Sequence, residues 1–307
     1  ITCDSDGEIK RPAGDRAGRI DIRRIDLHTH SWISDGTDSP TRLVLNAQRA
    51  GLDVVALTDH DTLAGLDEAR EAGRRIGVRV LGGVELSAIQ DGTEVHLLGY
   101  GPRRNDPRLT AELGRLRVGR TERLPKMLAK LEALGMPLSL DEVRAQAKDS
   151  QTSLGRPHVA DAMVARGYVA NRDEAFERFL DRTGAAYVGR PAVPLAAGVD
   201  LLHHAGAAAV IAHPCIRGMA EVLTGTLLTQ LRAEHGLDGI EVDYPLHDPQ
   251  TRDLYQQLGS RLDLVRTGSS DYHGTGKTGH DLGSATTRAS AFDELLRRIQ
   301  AHGGQID

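Results

Sequence analysis

The chain has 307 residues and a mass of 33.1 kDa, and its 39% hydrophobic content is sufficient for one large core or two modest ones. No run of about 18 uncharged apolar residues and no apolar leader segment occurs, so the sequence predicts neither a membrane span nor a signal peptide, and we expect a cytoplasmic protein. Two cysteines exclude a disulfide scaffold and a Cys-rich zinc finger, and a net charge of -5 argues against a protein that coats DNA or RNA non-specifically.

Short apolar runs alternate with amphipathic segments over most of the chain. The apolar runs predict buried strands over 24–28, 53–58, 78–86, 207–212, 239–242 and 262–267. The amphipathic segments predict helices over 40–50, 64–76, 195–205, 227–235, 250–258 and 291–301. This repetition indicates parallel strands with helices outside, in either an open doubly wound sheet or a closed barrel. No G-x-G-x-x-G motif follows the first strand, which disfavours a dinucleotide-binding fold.

The middle of the chain has a different pattern. Four helices without intervening strands are predicted over 108–134, 139–147, 158–167 and 172–180. Residues 103–182 contain 16 basic and 12 acidic side chains, an excess that fits either a solvated helix surface or a binding surface for an anion. We therefore predict a flexible tail over 1–19, a catalytic body formed by 20–102 and 190–307, and a helical insertion domain over 103–189.

Histidine and carboxylate side chains gather where the predicted strands end. In the run Asp26-Leu27-His28-Thr29-His30, the two-residue period of a strand places both imidazoles on the same side. Other strand ends and the loops beside them contribute Asp35, His60, Glu85, His96, His213, Asp271 and His273. A single histidine at a strand end is usually a loop or surface residue, but the set as a whole has the ligand chemistry of zinc, manganese or iron. Since a carboxylate can be shared between ions, we expect several metals rather than one.

Six further histidines do not belong to this set of candidate metal ligands. They lie on predicted helices or in loops, and we predict structural or surface roles for His203, His204, His235, His247, His280 and His302.

The chemistry-bearing motifs, taken in order, resemble a known family. They are His28-Thr29-His30, Ser34-Asp35-Gly36, Leu57-Thr58-Asp59-His60-Asp61, Gly83-Val84-Glu85, His96-Leu97-Leu98-Gly99-Tyr100, Ala212-His213-Pro214 and Ser270-Asp271-Tyr272-His273. Together they resemble the PHP (polymerase and histidinol phosphatase) family. Gly155-Arg156-Pro157-His158-Val159-Ala160 and Ala185-Ala186-Tyr187-Val188 resemble its phosphoesterase branch, which includes nucleoside 3′,5′-bisphosphate phosphatase and the 5′-to-3′ exoribonuclease RNase AM.

The resemblance implies a distorted (β/α)7 barrel of the amidohydrolase-like kind, with a helical insertion and two or three divalent ions (Mn²⁺, Fe²⁺ or Zn²⁺). It assigns the first ion to His28, His30, Glu85 and Asp271. Glu85 would also bridge to a second ion held by His96 and His158. A third ion would be held by Asp35, His60 and His273, although two-metal members leave these positions other roles.

The resemblance also implies which residues contact the substrate. His213 matches a motif whose histidine lies beside the reacting phosphate, and we predict His213 and Asp59 as catalytic residues. Arg156 and Arg120 are candidate phosphate clamps, with a surface ion pair as the alternative for each. Tyr187 either stacks on a base or packs in the insertion core.

We predict a metal-dependent phosphoesterase that acts on a small phosphorylated substrate, either a nucleoside 3′,5′-bisphosphate or the 5′ end of a short RNA. The alternatives are a 5′-to-3′ exoribonuclease, a histidinol-phosphate-type phosphatase and a metal-dependent amidohydrolase. A basic insertion argues against the last two, because positive charge suits a highly charged phosphate. A nucleotide-binding accessory module without activity is disfavoured because every ligand position is filled. The sequence does not predict the oligomeric state, and we expect no membrane partner.

Overall fold

A computed structural model describes residues 24–147, 154–189, 191–216 and 218–306. The predicted tail over 1–19 lies outside these residues. The strands are β1 (Ile25–Thr29), β2 (Val54–Leu57), β3 (Arg79–Gln90), β4 (Thr93–Tyr100), β5 (Val193–Pro194), β6 (Ala208–Ile211), β7 (Gly239–Asp243) and β8 (Val265–Gly268). Hydrogen bonds join them in the order β1-β2-β3-β4-β6-β7-β8, and the short β5 pairs with β3.

Seven of these strands form a nearly closed barrel. The strands β1, β2 and β3 are parallel, and so are β6, β7 and β8, while β4 runs antiparallel to both of its neighbours. The two edges meet where Thr29 forms a parallel bridge with Tyr272, and the His30 backbone N–H donates to the Tyr272 carbonyl at 2.8 Å. The prediction of a distorted (β/α)7 barrel is therefore confirmed, and the antiparallel strand is the distortion.

The antiparallel strand follows from a tight hairpin that we did not predict. Asp91 and Gly92 form its turn with φ of 46° and 74°, the left-handed conformation that an Asp-Gly pair adopts in two-residue hairpins. The register pairs Ser87 with His96, and Ser87 lies two residues beyond Glu85 on the same face of β3. The hairpin thereby places His96 on the face that carries Glu85.

Helices cover the outside of the barrel. They are α1 (Pro40–Arg49), α2 (Leu66–Ile76), α7 (Leu195–His204), α8 (Met219–Val222), α9 (Gly225–His235), α10 (Pro249–Arg261) and α11 (Ala289–Ala301). The first is typical: Ser39 accepts the Arg42 N–H at 3.0 Å as the N-cap, and Leu43, Val44 and Ala47 form a fully buried stripe against the sheet. None of the described helices has the length and apolarity needed to span a bilayer.

The basic middle of the chain is helical, as predicted. It contains α3 (Pro107–Ala133), α4 (Leu140–Arg144), α5 (Arg156–Ala165), α6 (Arg172–Ala175) and a π-helical turn (Phe176–Leu180). The first half of α3 packs on the barrel through Leu109 and Leu113, whereas Met127 and Leu131 in its second half belong to a separate hydrophobic cluster with α4, α5 and α6. One long helix therefore carries basic side chains from the barrel rim into the helical region.

Candidate metal centre

A cavity of about 490 Å³ opens at the carboxyl ends of the barrel strands and continues beneath the helical region. This is the position at which strand–helix barrels bind their ligands. The barrel contributes Trp32, Asp35, His60, Glu85, His96, His213, Asp271, His273 and Lys277 to the wall. The helical region contributes Arg120, Arg123, Arg156, His158, Asp161, Arg172 and Phe176.

The carboxylate of Glu85 lies at the centre of this site. Its Oε2 is 3.0 Å from His60 Nδ1, 3.1 Å from His30 Nε2 and 3.3 Å from His28 Nε2. Its Oε1 is 2.6 Å from His96 Nδ1 and 3.1 Å from His213 Nε2. Because each oxygen faces a different set of imidazoles, Glu85 has the arrangement of a carboxylate that bridges two positions.

Two further carboxylates lie beside these imidazoles. Asp271 Oδ1 lies 3.4 Å from His30 Nε2 and 3.4 Å from His273 Nδ1. Asp35 Oδ1 lies 3.4 Å from His273 Nε2, and its Oδ2 lies 3.6 Å from His60 Nε2. Asp271 has a φ of +53°, a strained conformation for a residue other than glycine that is typical of functional sites.

The structure brings eight of the nine predicted ligands together. They form three groups, and within each group all ligand atoms lie within 4.8 Å of one another. The groups are His28, His30 and Asp271; His30, Asp35, His60 and His273; and His60, Glu85 and His96. A further group joins His28, Glu85 and His213. His158 belongs to none of the groups found among the described residues, and its Nδ1 accepts the Gly155 N–H at 3.1 Å in the cavity wall.

Several of these atoms are buried without a hydrogen-bond partner. They are His28 Nδ1 and Nε2, His30 Nε2, His60 Nδ1 and Glu85 Oε2. Leaving such polar atoms buried and unpaired costs free energy, which native proteins usually avoid. His28 Nδ1 faces Glu241 at 3.5 Å, and a divalent cation among the other imidazole nitrogens and the carboxylate oxygen would satisfy the rest. Nitrogen and oxygen donors suit manganese, iron or zinc. The residues present therefore fit a metal centre.

Basic side chains from the helical region face the centre. The Nη2 atom of Arg120 lies 3.1 Å from Asp35 Oδ2, and Arg156 Nη2 lies 3.3 Å from Glu94 Oε2. Tyr187 is half-buried beside these groups, with its ring 5.3 Å from the Arg123 guanidinium carbon. Arg120 and Arg156 thus reach the cavity, while Tyr187 packs behind the arginine wall.

Comparison with known proteins identifies the family. The model of the PHP domain matches residues 26–143. The chain is 35% identical over 280 residues to a 3′,5′-nucleoside bisphosphate phosphatase of Chromobacterium violaceum, a match that covers 91% of this chain and 98% of the relative. This chain belongs to the PHP family. Its activity is that of a metal-dependent phosphoesterase.

Other relatives and a solved structure agree with this assignment. A 5′-3′ exoribonuclease of Haemophilus influenzae is 34% identical over 251 residues, covering 82% of this chain and 90% of the relative. A phosphoribosyl 1,2-cyclic phosphate 1,2-diphosphodiesterase of Eggerthella lenta is 34% identical over 258 residues, covering 81% of this chain and 94% of the relative. The structure of a Bifidobacterium adolescentis protein assigned to the metal-dependent phosphoesterases superposes with a TM-score of 0.81 at 34% identity, covering 89% of this chain and 96% of that one.

Burial and charge act against each other in this PHP centre. Burial alone would raise the pKa of Glu85, but the neighbouring imidazoles of His60 and His96 hold it well below its usual range. Burial likewise opposes ionisation of Asp271, yet Lys277 and His28 keep its pKa well below the usual range. Both carboxylates are therefore ionised at neutral pH and can act as ligands.

A buried acid that we did not predict from the sequence lies behind His28. Glu241 on β7 is fully buried, with Oε1 3.5 Å from His28 Nδ1 and Oε2 accepting the His213 N–H at 2.7 Å. Ser269 also donates its hydroxyl to Glu241. The only signal in the sequence is a charged residue inside the apolar run of a strand. A carboxylate behind a ligating imidazole fixes the tautomer and orientation of that imidazole.

Two other residues that we did not predict hold Asp271. Its Oδ2 accepts a hydrogen bond from the Tyr244 hydroxyl at 2.8 Å and another from the Lys277 ammonium group. These contacts turn Oδ1 toward the imidazoles. Lys277 follows the Asp271-Tyr272-His273 motif in a glycine-rich loop, where a lysine gave no signal of its own.

Asp59 has a different environment from the ligands. Its Oδ1 accepts from the Ser31 N–H at 2.8 Å and the Ser34 hydroxyl at 2.7 Å, and its Oδ2 accepts from the Ser31 hydroxyl at 2.6 Å. The carboxylate is buried and fixes the loop that follows β1. That loop carries Asp35.

Proposed function

We propose that this PHP phosphoesterase removes a phosphate from a nucleoside 3′,5′-bisphosphate or from the 5′ end of a short RNA. The proposal rests on one cavity that combines two kinds of side chain. The imidazoles and carboxylates around Glu85, which can hold metal ions, lie at its base, and arginines of the helical region, which can bind phosphate, form its wall. A volume of about 490 Å³ suits a small nucleotide. The relatives named for a bisphosphate phosphatase and an exoribonuclease support the same substrate class.

We assign Glu85 as the ligand shared between two ions. On its Oε2 side the first ion would take His28, His30 and Asp271. On its Oε1 side the second would take His96. His60 lies closer to Oε2, but its ligand atom is within 4.8 Å of those of Glu85 and His96, so it could serve either ion. Asp35 and His273 would serve a third ion or hold His30 and His60 in place. Manganese, iron and zinc all suit these donors.

Bound divalent ions would activate a water molecule as the nucleophile and neutralise the charge of the phosphoryl group during in-line attack. The protein residues hold the reacting groups around that position. His213 has a φ of +27°, its backbone N–H is fixed by Glu241, and its Nε2 lies 3.1 Å from Glu85 Oε1. Its Nδ1 is buried without a hydrogen-bond partner. We therefore assign His213 to the substrate phosphate, and Asp59 to positioning the loop rather than to proton transfer.

We assign Arg120 and Arg156 to the binding of phosphate. Each guanidinium now pairs with a carboxylate, Arg120 with Asp35 in the cavity wall and Arg156 with Glu94. The Arg120 side chain is 14% exposed and the Arg156 side chain is 12% exposed, so water screens their charges weakly. A phosphate pairs with the planar guanidinium in the same bidentate way as a carboxylate but carries more negative charge, so it would compete for the same donors.

The test is a comparison of products from three substrates. Protein loaded with Mn²⁺ is incubated with adenosine 3′,5′-bisphosphate, with a 5′-phosphorylated RNA of five nucleotides, and with a ribose 1,2-cyclic phosphate, and the products are followed by mass spectrometry. The control is His28→Ala, which removes one ligand. Release of one phosphate from the bisphosphate, with intact RNA, supports the proposal. Stepwise release of mononucleotides would make the protein an exoribonuclease, and reaction of the cyclic phosphate alone would contradict the proposal.

A further inference from the structure

A second group of metal-binding side chains lies at the opposite end of the barrel. Asp238 immediately precedes β7, His203 belongs to the last turn of α7, and His302 directly follows α11. Three separate elements thus bring one ligand each to the amino ends of the strands. The ligand atoms of these residues all lie within 4.8 Å of one another. The sequence gave no reason to connect them, because 35 and 64 residues separate the two histidines from Asp238.

The three side chains share a common focus. Asp238 Oδ2 lies 2.8 Å from His203 Nε2, and both of its oxygens lie 3.1 Å from His302 Nε2. The two imidazole rings stack with centroids 4.0 Å apart and an interplanar angle of 16°. The Ala209 N–H also donates to Asp238 Oδ2 at 2.9 Å, which fixes the carboxylate to the backbone of β6.

The burial of these residues suits an ion with one side open to water. The Asp238 side chain is 2% exposed, whereas His203 and His302 are 16% and 25% exposed. Two imidazolium rings stacked at this distance would repel each other. A divalent ion between the two Nε2 atoms and the carboxylate removes that repulsion, provided that each imidazole carries its proton on Nδ1.

This group is separate from the catalytic centre. Asp238 lies three residues before Glu241 along β7, which corresponds to about 10 Å of extended strand. Glu241 contacts His28 of the metal centre, whereas the Asp238 side chain faces α7 and α11. The two sites therefore have no ligand in common.

We propose that Asp238, His203 and His302 bind a structural divalent ion, for which Zn²⁺ is the best match. Two imidazoles and one carboxylate with a water molecule form a four-coordinate set that zinc accepts. The ion joins α7, α11 and the start of β7. Because it binds the folded protein and not the separated side chains, it raises thermal stability without taking part in the reaction.

The ion count tests this proposal directly. Zn²⁺ per chain is measured by elemental analysis after incubation and gel filtration, for the wild type, His302→Gln and His204→Gln. Glutamine retains an N–H donor for Asp238 but offers no imidazole nitrogen. His204 is the matched control, since it is adjacent to His203 but faces Asp106 at 3.6 Å. We expect about one Zn²⁺ fewer in His302→Gln only, with Mn²⁺-dependent phosphoesterase activity unchanged in both variants.

Thermal unfolding with and without Zn²⁺ provides a second readout. Because the catalytic centre also accepts Zn²⁺, the comparison is made in the His28→Ala background, where His28→Ala should show a larger Zn²⁺-dependent rise in Tm than His28→Ala/His302→Gln. Equal Zn²⁺ counts in His302→Gln and the wild type would overturn the proposal. An equal Zn²⁺-dependent rise in Tm in His28→Ala and His28→Ala/His302→Gln would overturn it as well.

Discussion

Replacing Glu241 with glutamine tests how the fold prepares His28 to bind a metal. Both oxygens of Glu241 are acceptors: Oε2 receives the His213 N–H, while Oε1 receives the Ser269 hydroxyl and faces His28 Nδ1 at 3.5 Å. Glutamine has the same shape but only one acceptor atom. In either amide orientation, an NH₂ group must therefore face a group that needs an acceptor.

The size of the effect follows from this mismatch. If the amide nitrogen faces His28, Nδ1 must accept a hydrogen bond and the imidazole proton moves to Nε2, the atom that faces Glu85 and Asp271. A protonated Nε2 cannot bind a metal ion. Loss of such a partner behind a ligand costs about 10- to 100-fold in metal affinity or activity. This corresponds to about 1.4–2.7 kcal/mol.

The assay is calorimetric titration of Mn²⁺ into metal-free protein, together with kcat at several Mn²⁺ concentrations. We expect weaker Mn²⁺ binding in Glu241→Gln and partial recovery of kcat at high Mn²⁺. The matched control is Glu221→Gln, an exposed acid on α8. Unchanged Mn²⁺ affinity and kcat in Glu241→Gln, with only a loss of stability, would refute the positioning role.

Three further predictions concern the metal, the arginine wall and the packing of α3. A chelator should abolish activity and Mn²⁺ should restore it in the wild type but not in His28→Ala, as followed by phosphate release. Arg156→Lys should raise KM for the bisphosphate about tenfold with little change in kcat, because lysine cannot pair with phosphate in a bidentate manner; an unchanged KM would exclude a phosphate contact. In Gly119→Ala the new Cβ would lie 2.2 Å from Pro191 Cγ, so urea unfolding should show a loss of about 1–3 kcal/mol. Gly114→Ala on the same helix meets nothing within 4 Å and should gain up to about 1 kcal/mol; equal shifts in the two variants would contradict this account.

The sequence predicted metal-binding residues best where the alternation of a strand and the chemistry of its side chains point to the same face. His28 and His30 could be assigned to one face because a strand alternates every two residues, and the strand bounds put them at the barrel rim. The predicted strand over 262–267 was placed too early, since α10 continues to Arg261 and β8 begins at Val265. There, apolar residues at a helix end and in a strand give the same pattern.

The remaining features depend on contacts between distant parts of the chain. The β3–β4 hairpin carries His96 to Glu85, but the predicted strand over 78–86 ended before the Asp91-Gly92 turn, and no hairpin was predicted there. Glu241 contacts His28 only after the barrel closes. His158 stays a prediction: the resemblance implies a ligand, and in the structure its imidazole lines the cavity and accepts the Gly155 N–H at the start of α5.

We propose that Glu85 is shared between two ions at the base of the cavity. The most direct measurement is anomalous X-ray diffraction at the manganese edge from crystals of the wild type and Glu85→Gln soaked in Mn²⁺. We expect two peaks in the wild type, one on each side of the Glu85 carboxylate, within reach of His28 and His96 respectively. In Glu85→Gln at least one peak should be lost. A wild-type map without peaks beside Glu85, or a map unchanged by the substitution, would show that Glu85 does not hold two ions.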